Sequence, residues 1–462
     1  MRSRPFRLLA PAQMGQVAHE ARGIHTHSLL RMFAEHSEGS ELTVLDGDGS
    51  VPHGEKTYLA LEPSRVVEAW TAEEARRLLA EISRDNQRSP RPRALGFFAF
   101  DAFSDGLVES RGHLRSDPLQ TDRVTRIPKA RFAIHDAILE IDEMRGTARL
   151  LGDHEAALDA FEARLRHVIA QSASDETPRS QNRCGISAFR EEAPDKHLEA
   201  IREAIALIER GALCQVNLAR PYRAVWTGDP LWFYLAMREV SPVPCGFFQR
   251  FGKQAILGRS MENFLLFDAE SRRLRTSPIK GTRASGGDVE ASPLAGDRRE
   301  LKEHDLVLEH ALKELREASG DAHARIVAPH SVERFSVLEH LISHIEARVA
   351  EDRSLREILP ALFPPLSVVG IPRQAALTTI ERLERAPRGV YCGAYGYFSA
   401  RGDAHLAVAI RTAHFDGESL SYHAGGGLIA DADPVAELEE TRLKARAFVD
   451  AVKKFGSSRK KS

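Results

Sequence analysis

Four polar clusters in this sequence hold residue types that could do chemistry. The first is Pro278-Ile279-Lys280-Gly281-Thr282-Arg283. A lysine between an apolar residue and a glycine, at the end of a strand-like run, could point inward from a tight turn. Burial disfavours its charged form, and a lysine of lowered pKa is a nucleophile or base near neutrality. A solvated lysine in a surface turn is the plainer alternative. The second cluster runs from Glu300 through Glu303, His304 and Asp305, and the third from Glu437 through Glu440 to Lys444. In each, two glutamates three positions apart share one helical face. Two helices that each present such a pair could hold a hard cation through oxygen ligands; taken singly, each pair is an ordinary solvated face. The fourth cluster is Gly425-Gly426-Gly427, read as lying directly after a strand, where backbone amides could approach a carboxylate or phosphate. By itself it reads as a tight turn. The glycine spacings that cradle nucleotide phosphates are absent.

The elements that must position these clusters follow from hydrophobic period. Helices are expected over 72–82, 156–169, 194–210, 301–317 and 434–453, and strands over 95–100, 132–141, 215–220, 254–258, 264–267, 393–398 and 404–411. The stretch 332–350 mixes both signals. Strands and helices that come in blocks, without strict alternation, indicate an α+β fold with antiparallel sheets. The polar segment 171–183 is the best linker or long loop, which divides the chain into 1–183 and 184–462.

The bulk properties narrow the class. With 42% hydrophobic residues in 462, a large core is available, and a net charge of −2 leaves no basic footprint for nucleic acid. Four cysteines lie 30 or more residues apart, with no pair spaced for zinc or redox chemistry. Neither a signal-peptide core nor an 18-residue apolar run occurs, so a soluble cytoplasmic protein without a membrane partner is expected.

Taken in order, these segments resemble the chorismate-binding enzymes. The resemblance runs from about Leu198 to Val452. It rests on Cys214-Gln215-Val216-Asn217-Leu218-Ala219-Arg220, Ser260-Met261-Glu262-Asn263-Phe264, the Lys280 segment, Glu303-His304 and His340-Leu341-Ile342-Ser343. Gly370-Ile371-Pro372-Arg373, Tyr391, Ala409-Ile410-Arg411, the three glycines and Glu437 through Lys444 complete it. The N-terminal part, 1–183, resembles the family's variable region only loosely, chiefly at Gly96-Phe97-Phe98-Ala99-Phe100-Asp101.

This resemblance implies the chorismate-binding-enzyme fold, an α+β architecture of large antiparallel sheets packed face to face and flanked by helices. It implies chorismate as substrate and Mg2+ as cofactor. Glu262 matches the general acid for the departing C4 hydroxyl, and His340 the histidine that positions it. Glu303 and Glu440 match metal ligands, with Glu300 and Glu437 beside them. Tyr391, Arg411 and Lys444 match carboxylate-binding positions, and Thr282, Gly426 and Gly427 complete the cradle. At the position of Gln215, isochorismate and salicylate synthases carry a lysine that activates water; glutamine cannot. The Pro-Ile-Lys-Gly-Thr form around Lys280 resembles aminodeoxychorismate synthase component I, in which the lysine is thought to bond to the ring before ammonia enters at C4. The expected activity is therefore 4-amino-4-deoxychorismate formation through a Lys280 intermediate, toward 4-aminobenzoate and folate. Isochorismate and anthranilate formation are the alternatives. Ser260-Met261-Glu262-Asn263, the run 306–315 and Gly370-Ile371-Pro372-Arg373 depart from the usual forms. No glutaminase elbow surrounds any cysteine, so ammonia is expected from a separate glutamine amidotransferase subunit or from solution.

Overall fold

The computed structural model describes residues 2–5, 26–36, 39–47, 56–84, 89–104, 127–174, 184–284, 296–335 and 338–456. Among these residues the chain forms one 12-stranded and one 10-stranded sheet, with helices packed against them. Every strand pairing is antiparallel, as the block-wise order of elements indicates. The α+β expectation stands.

Helix ends follow local chemistry. Thr71 caps Ala72–Ile82 in a reciprocal capping box with Glu74, and Asp229 accepts from the Leu231 amide ahead of Pro230–Val240. The long helices Arg298–Ser319 and Pro434–Gly456 place Glu300 and Glu437 in their first turns, where the helix dipole favours a carboxylate. Pro434–Gly456 buries Leu438, Ala445, Phe448, Val452 and Phe455 on one face, and this apolar stripe holds it across strand Ser419–Leu428.

Three expectations about elements change. The stretch 132–141 is two strands, Ala130–Ile134 and Ala137–Asp142, which belong to different sheets. The polar pair His135-Asp136 interrupts the apolar run and marks the crossing between the two sheets. Among the described residues, the stretch 332–350 takes in the end of strand Arg325–Phe335 and its partner Leu338–Arg348, with no helix. The three glycines do not form a turn: they lie within strand Ser419–Leu428, paired with Asn217, Leu218 and Ala219. A Cβ at Gly425 would come within 2.3 Å of the Leu218 carbonyl oxygen, so glycine here permits close packing. Of the supposed linker, 171–174 ends the helix Glu155–Ser174, and 175–183 lies outside the described residues. Both sheets draw strands from either side of residue 184; Asp46, for example, pairs with Gly246.

Candidate active site

The site forms where strands of the two sheets approach each other and the two acidic helices close over them. Strand Gln215–Thr227 pairs with Ser419–Leu428 in the larger sheet, which sets Asn217 opposite Gly427. In the smaller sheet Ile279–Ala284 pairs with Leu338–Arg348, setting Thr282 opposite His340. The register slips between Lys280 and Thr282, where Gly281 takes a φ of 66°. This bulge, rather than a terminal turn, re-aims Lys280.

One cavity of about 240 Å3 collects Glu262, Lys280, Glu300, Glu303, His340, Tyr391, Arg411, Gly427, Glu437, Glu440 and Lys444. Gln215 lies beside it, fully buried, and neither of its amide atoms has a hydrogen-bond partner among the described residues. Orphaned amide atoms at such depth mark a place for a polar ligand. A Cβ built on Gly427 would meet Gln215 Nε2 at 2.7 Å and Lys280 Nζ at 2.8 Å, so glycine leaves room for both side chains. Gly426 faces the acidic helix: its Cβ would lie 3.3 Å from Glu437 Oε2. Thr282 joins the site through its backbone register; its side chain lies outside the described residues.

Glu262 is buried, and burial pushes its carboxyl up to about 7 despite a hydrogen bond from Ser367 and the positive charge of Lys280. Ser367 Oγ donates to Glu262 Oε1 at 2.5 Å. A carboxyl of this kind is substantially protonated at neutral pH and can give a proton to a leaving group. Burial also lowers the Lys280 ammonium, opposed chiefly by Glu303 and reinforced by Lys444. His340 donates from Nδ1 to the Gly281 carbonyl at 3.2 Å, and burial with the nearby Arg411 charge holds its pKa down at about 3. It is therefore a neutral imidazole whose Nε2 can accept a hydrogen bond, so it can position a hydroxyl and does not supply a proton.

The cationic side is fixed by the last helix. Arg411 has a left-handed φ of 52°, and its Nη1 donates to the Lys444 carbonyl at 2.5 Å. Lys444 Nζ lies 2.5 Å from Glu440 Oε1. Tyr391 stacks on His423 with ring centroids 5.4 Å apart. Cys392, next in sequence, also has a left-handed φ, of 64°. Such backbone conformations at two non-glycine residues cost about 1–3 kcal/mol each and gather at functional sites.

Glu300, Glu303, Glu437 and Glu440 line the cavity from the two helices. Glu300 is raised by burial and then by the charges of Glu303, Glu440 and Asp297. An all-carboxylate donor set suits a hard cation such as Mg2+ and is ill suited to zinc. Among the described residues no three His, Cys, Asp or Glu side chains are placed together as a metal site. The donor types fit Mg2+, although the side chains are not gathered around one point, and Glu440 lies against Lys444.

Two further groups were invisible in the sequence. Ser367 sits in the apolar run Leu366–Val368, where nothing marks it as a partner of Glu262. Arg388 is buried beside Tyr391; it bonds Glu384 and donates to the carbonyls of Val368 and Asn217 at 2.9 and 2.8 Å. It ties a helix end, a turn and a strand together behind the cavity. An arginine in a loop-like segment gives no such signal.

The sequence profile described as chorismate binding enzyme matches residues 46–450. The chain belongs to the chorismate-binding enzyme family. It is 30% identical over 380 residues to anthranilate synthase component 1 of Haloferax volcanii, an alignment covering 78% of this chain and 70% of that protein. It is 34% identical over 257 residues to the protein of the same name from Saccharolobus solfataricus, covering 54% and 61%. The crystal structure of anthranilate synthase component I from Streptococcus pneumoniae superposes with a TM-score of 0.71 at 25% identity, covering 86% of this chain and 92% of that one. The menaquinone-specific isochorismate synthase of Escherichia coli shares the fold, with a TM-score of 0.69 at 20% identity and coverage of 98% and 94%.

These similarities correct the expected activity. The Lys280 segment pointed to C4 amination through a covalent lysine intermediate, toward 4-aminobenzoate and folate. The relatives instead carry the name anthranilate synthase component 1, one of the alternatives. A single lysine establishes that an amine lies in the pocket; it does not determine which ring carbon receives nitrogen. Among the described residues, no helix is long and apolar enough to cross a membrane.

Proposed function

We propose that this chain is the chorismate-converting component of an anthranilate synthase, taking chorismate and ammonia to anthranilate, pyruvate and water. The similarity over 380 residues to a protein of that name carries the reading. The pocket chemistry supports it. Chorismate is a diacid, and Arg411, Lys444, Lys280 and the Tyr391 hydroxyl offer cations and a donor to its carboxylates. In this reading Lys280 holds charge and forms no bond to the ring.

Ammonia adds at C2, the ring double bonds shift, and the C4 hydroxyl leaves as water with a proton from Glu262. Loss of the C2 hydrogen and departure of the enolpyruvyl group from C3 then give pyruvate and an aromatic ring. Protonated Glu262 lowers the barrier to the first departure, and neutral His340 accepts a hydrogen bond from the same hydroxyl and orients it. Glu303 and Glu440, with Glu300 and Glu437 beside them, would hold Mg2+, which when bound neutralises the ring carboxylate and draws charge as the hydroxyl departs. Gln215 has no basic lone pair with which to activate water, which disfavours isochorismate. "Component 1" in the relatives' names implies a second component, in keeping with a separate glutaminase as the source of ammonia.

The test is to mix the protein with chorismate, Mg2+ and ammonium, coupled to lactate dehydrogenase. Pyruvate should appear without any added lyase. Pyruvate that forms only after a lyase is supplied, or isochorismate formed without ammonium, would overturn the reading.

A further inference from the structure

Arg388 lines the main cavity beside Tyr391, yet it is buried and each of its three nitrogens bonds within the protein. Nε donates to Glu384 Oε2 at 3.0 Å and Nη2 to Glu384 Oε1 at 2.6 Å. Nη1 also reaches the Val368 carbonyl and Nη2 the Asn217 carbonyl. Asn217 in turn holds the neighbouring turn: its Nδ2 donates to the Ser367 carbonyl at 3.0 Å, and its amide to the Val369 carbonyl at 2.8 Å. Glu384 Oε1 accepts from the Ala219 amide at 2.8 Å, which fixes the pair to the same strand. Phe100 covers the guanidinium, its ring centroid 4.5 Å from Cζ, and the Phe100 amide donates to the Gly389 carbonyl at 2.8 Å. The turn so enclosed, Leu366–Val368, is only three residues long and carries Ser367, whose hydroxyl donates to Glu262. A turn this short has few internal bonds, so its outside partners decide where that serine points.

We propose that Arg388 is a positioning residue for the acid step: its fork, paired with Glu384 and covered by Phe100, holds the turn that aims the Ser367 hydroxyl at Glu262. The inference rests on the reading of Glu262 as the acid for the C4 hydroxyl. With all three nitrogens engaged, this guanidinium has little to offer a substrate carboxylate, and its effect on the reaction passes through Ser367. The planar fork suits that task. An ammonium is a point charge and cannot meet two carbonyls and a carboxylate in one plane. Lys280, Lys444, Cys392 and the Ile279 amide also face Glu262, and none of them is altered in the test below. Through Phe100 the N-terminal part of the chain takes a share in the acid, although it supplies none of the assigned site residues.

Arg388→Lys keeps the charge and removes the fork. With chorismate, Mg2+ and saturating ammonium, kcat should fall roughly 10- to 100-fold, the cost of a small misplacement near the reacting atoms. The decline of kcat/KM with rising pH, which follows ionisation of Glu262, should also move up by about one pH unit, because a weakened Ser367 bond no longer favours the carboxylate. In a Ser367→Ala background the same substitution should move that limb no further, since the bond it acts through is already gone. A substitution that merely loosened the fold would lower activity in both backgrounds and leave the limb in place. Thermal unfolding is followed alongside; if Arg388→Lys does not fold, Phe100→Leu serves, with a smaller shift in the same direction. A folded variant with the native limb, or an equal shift with and without Ser367, overturns the proposal. In both cases anthranilate still forms, and the assigned reaction stands. A native profile without an alkaline limb, or a limb that persists in Glu262→Gln, refutes the acid role and the proposal with it.

Discussion

Ser367→Ala isolates the group that tunes the acid. The Ser367 hydroxyl donates to Glu262 Oε1 at 2.5 Å inside a buried site, and it opposes the upward push of burial. This bond favours the ionised carboxylate, so its removal raises the pKa further. Hydrogen bonds to charged groups contribute about 1.5–3 kcal/mol, which at 1.36 kcal/mol per pKa unit is a rise of about one to two units. Glu262 must be protonated to act, so native activity falls as pH rises through its value of about 7. In Ser367→Ala that alkaline limb should move to roughly pH 8–9. The assay is kcat/KM for chorismate at saturating ammonium between pH 5.5 and about 10, because this parameter reports groups of the free protein. Glu262→Gln supplies the control, with the limb abolished. An alkaline limb that stays at its native position in Ser367→Ala, or moves to lower pH, would refute Glu262 as the acid tuned by this hydroxyl.

Three further predictions concern the same cavity. The folded-state pKa of Glu262 lies above the ordinary carboxylate range, so its stability contribution is complete at acid pH and is lost as pH rises through about 7. Glu262→Gln should therefore be more stable than the native chain at pH 8, by up to about 3 kcal/mol, and not at pH 5; its turnover should fall by about 100-fold or more. Urea unfolding at the two pH values decides this, and a pH-independent difference would count against it. Glu440→Gln should weaken Mn2+ binding, followed by electron paramagnetic resonance, by about tenfold or more, a lower bound taken from the cost of losing even indirect support to a metal; an unaltered titration removes Glu440 from the ligand set. Lys280→Met should raise KM for chorismate about 10- to 100-fold, the value of a charge-assisted contact, with kcat largely kept. Normal chorismate binding without turnover, or a chorismate adduct on the native protein by intact mass, would show that this amine bonds to the ring.

Much of the framework could be read from periodicity and resemblance. The helix over 72–82 has those same bounds, and the two acidic helices extend only a few residues beyond the expected limits, because long amphipathic runs announce themselves. The residues that resemblance assigned to the site come together, most of them in one cavity. What stayed hidden depends on partners distant in sequence. Ser367 matters because Glu262 lies 105 positions away, and Arg388 because it reaches Asn217 across 171. The Gly281 bulge and the left-handed Arg411 are set by register with neighbouring strands, which local composition does not encode. The glycine triplet differs for the complementary reason: three glycines suggest a turn, yet they lie within a paired strand, where Gly427 clears space for Gln215 and Lys280 and Gly425 lets the Leu218 carbonyl approach. The reaction is not legible in one lysine, because an amine in the pocket leaves open which ring carbon receives nitrogen, whereas similarity to anthranilate synthase component 1 extends over 380 residues.

The most direct test of the account is where the nitrogen ends up. Chorismate converted with 15N-ammonium and Mg2+ by the purified protein alone should give an aromatic product whose labelled amine is ortho to the carboxylate by NMR. A labelled nitrogen at the para carbon, on a ring that still bears its enolpyruvyl group, would contradict it.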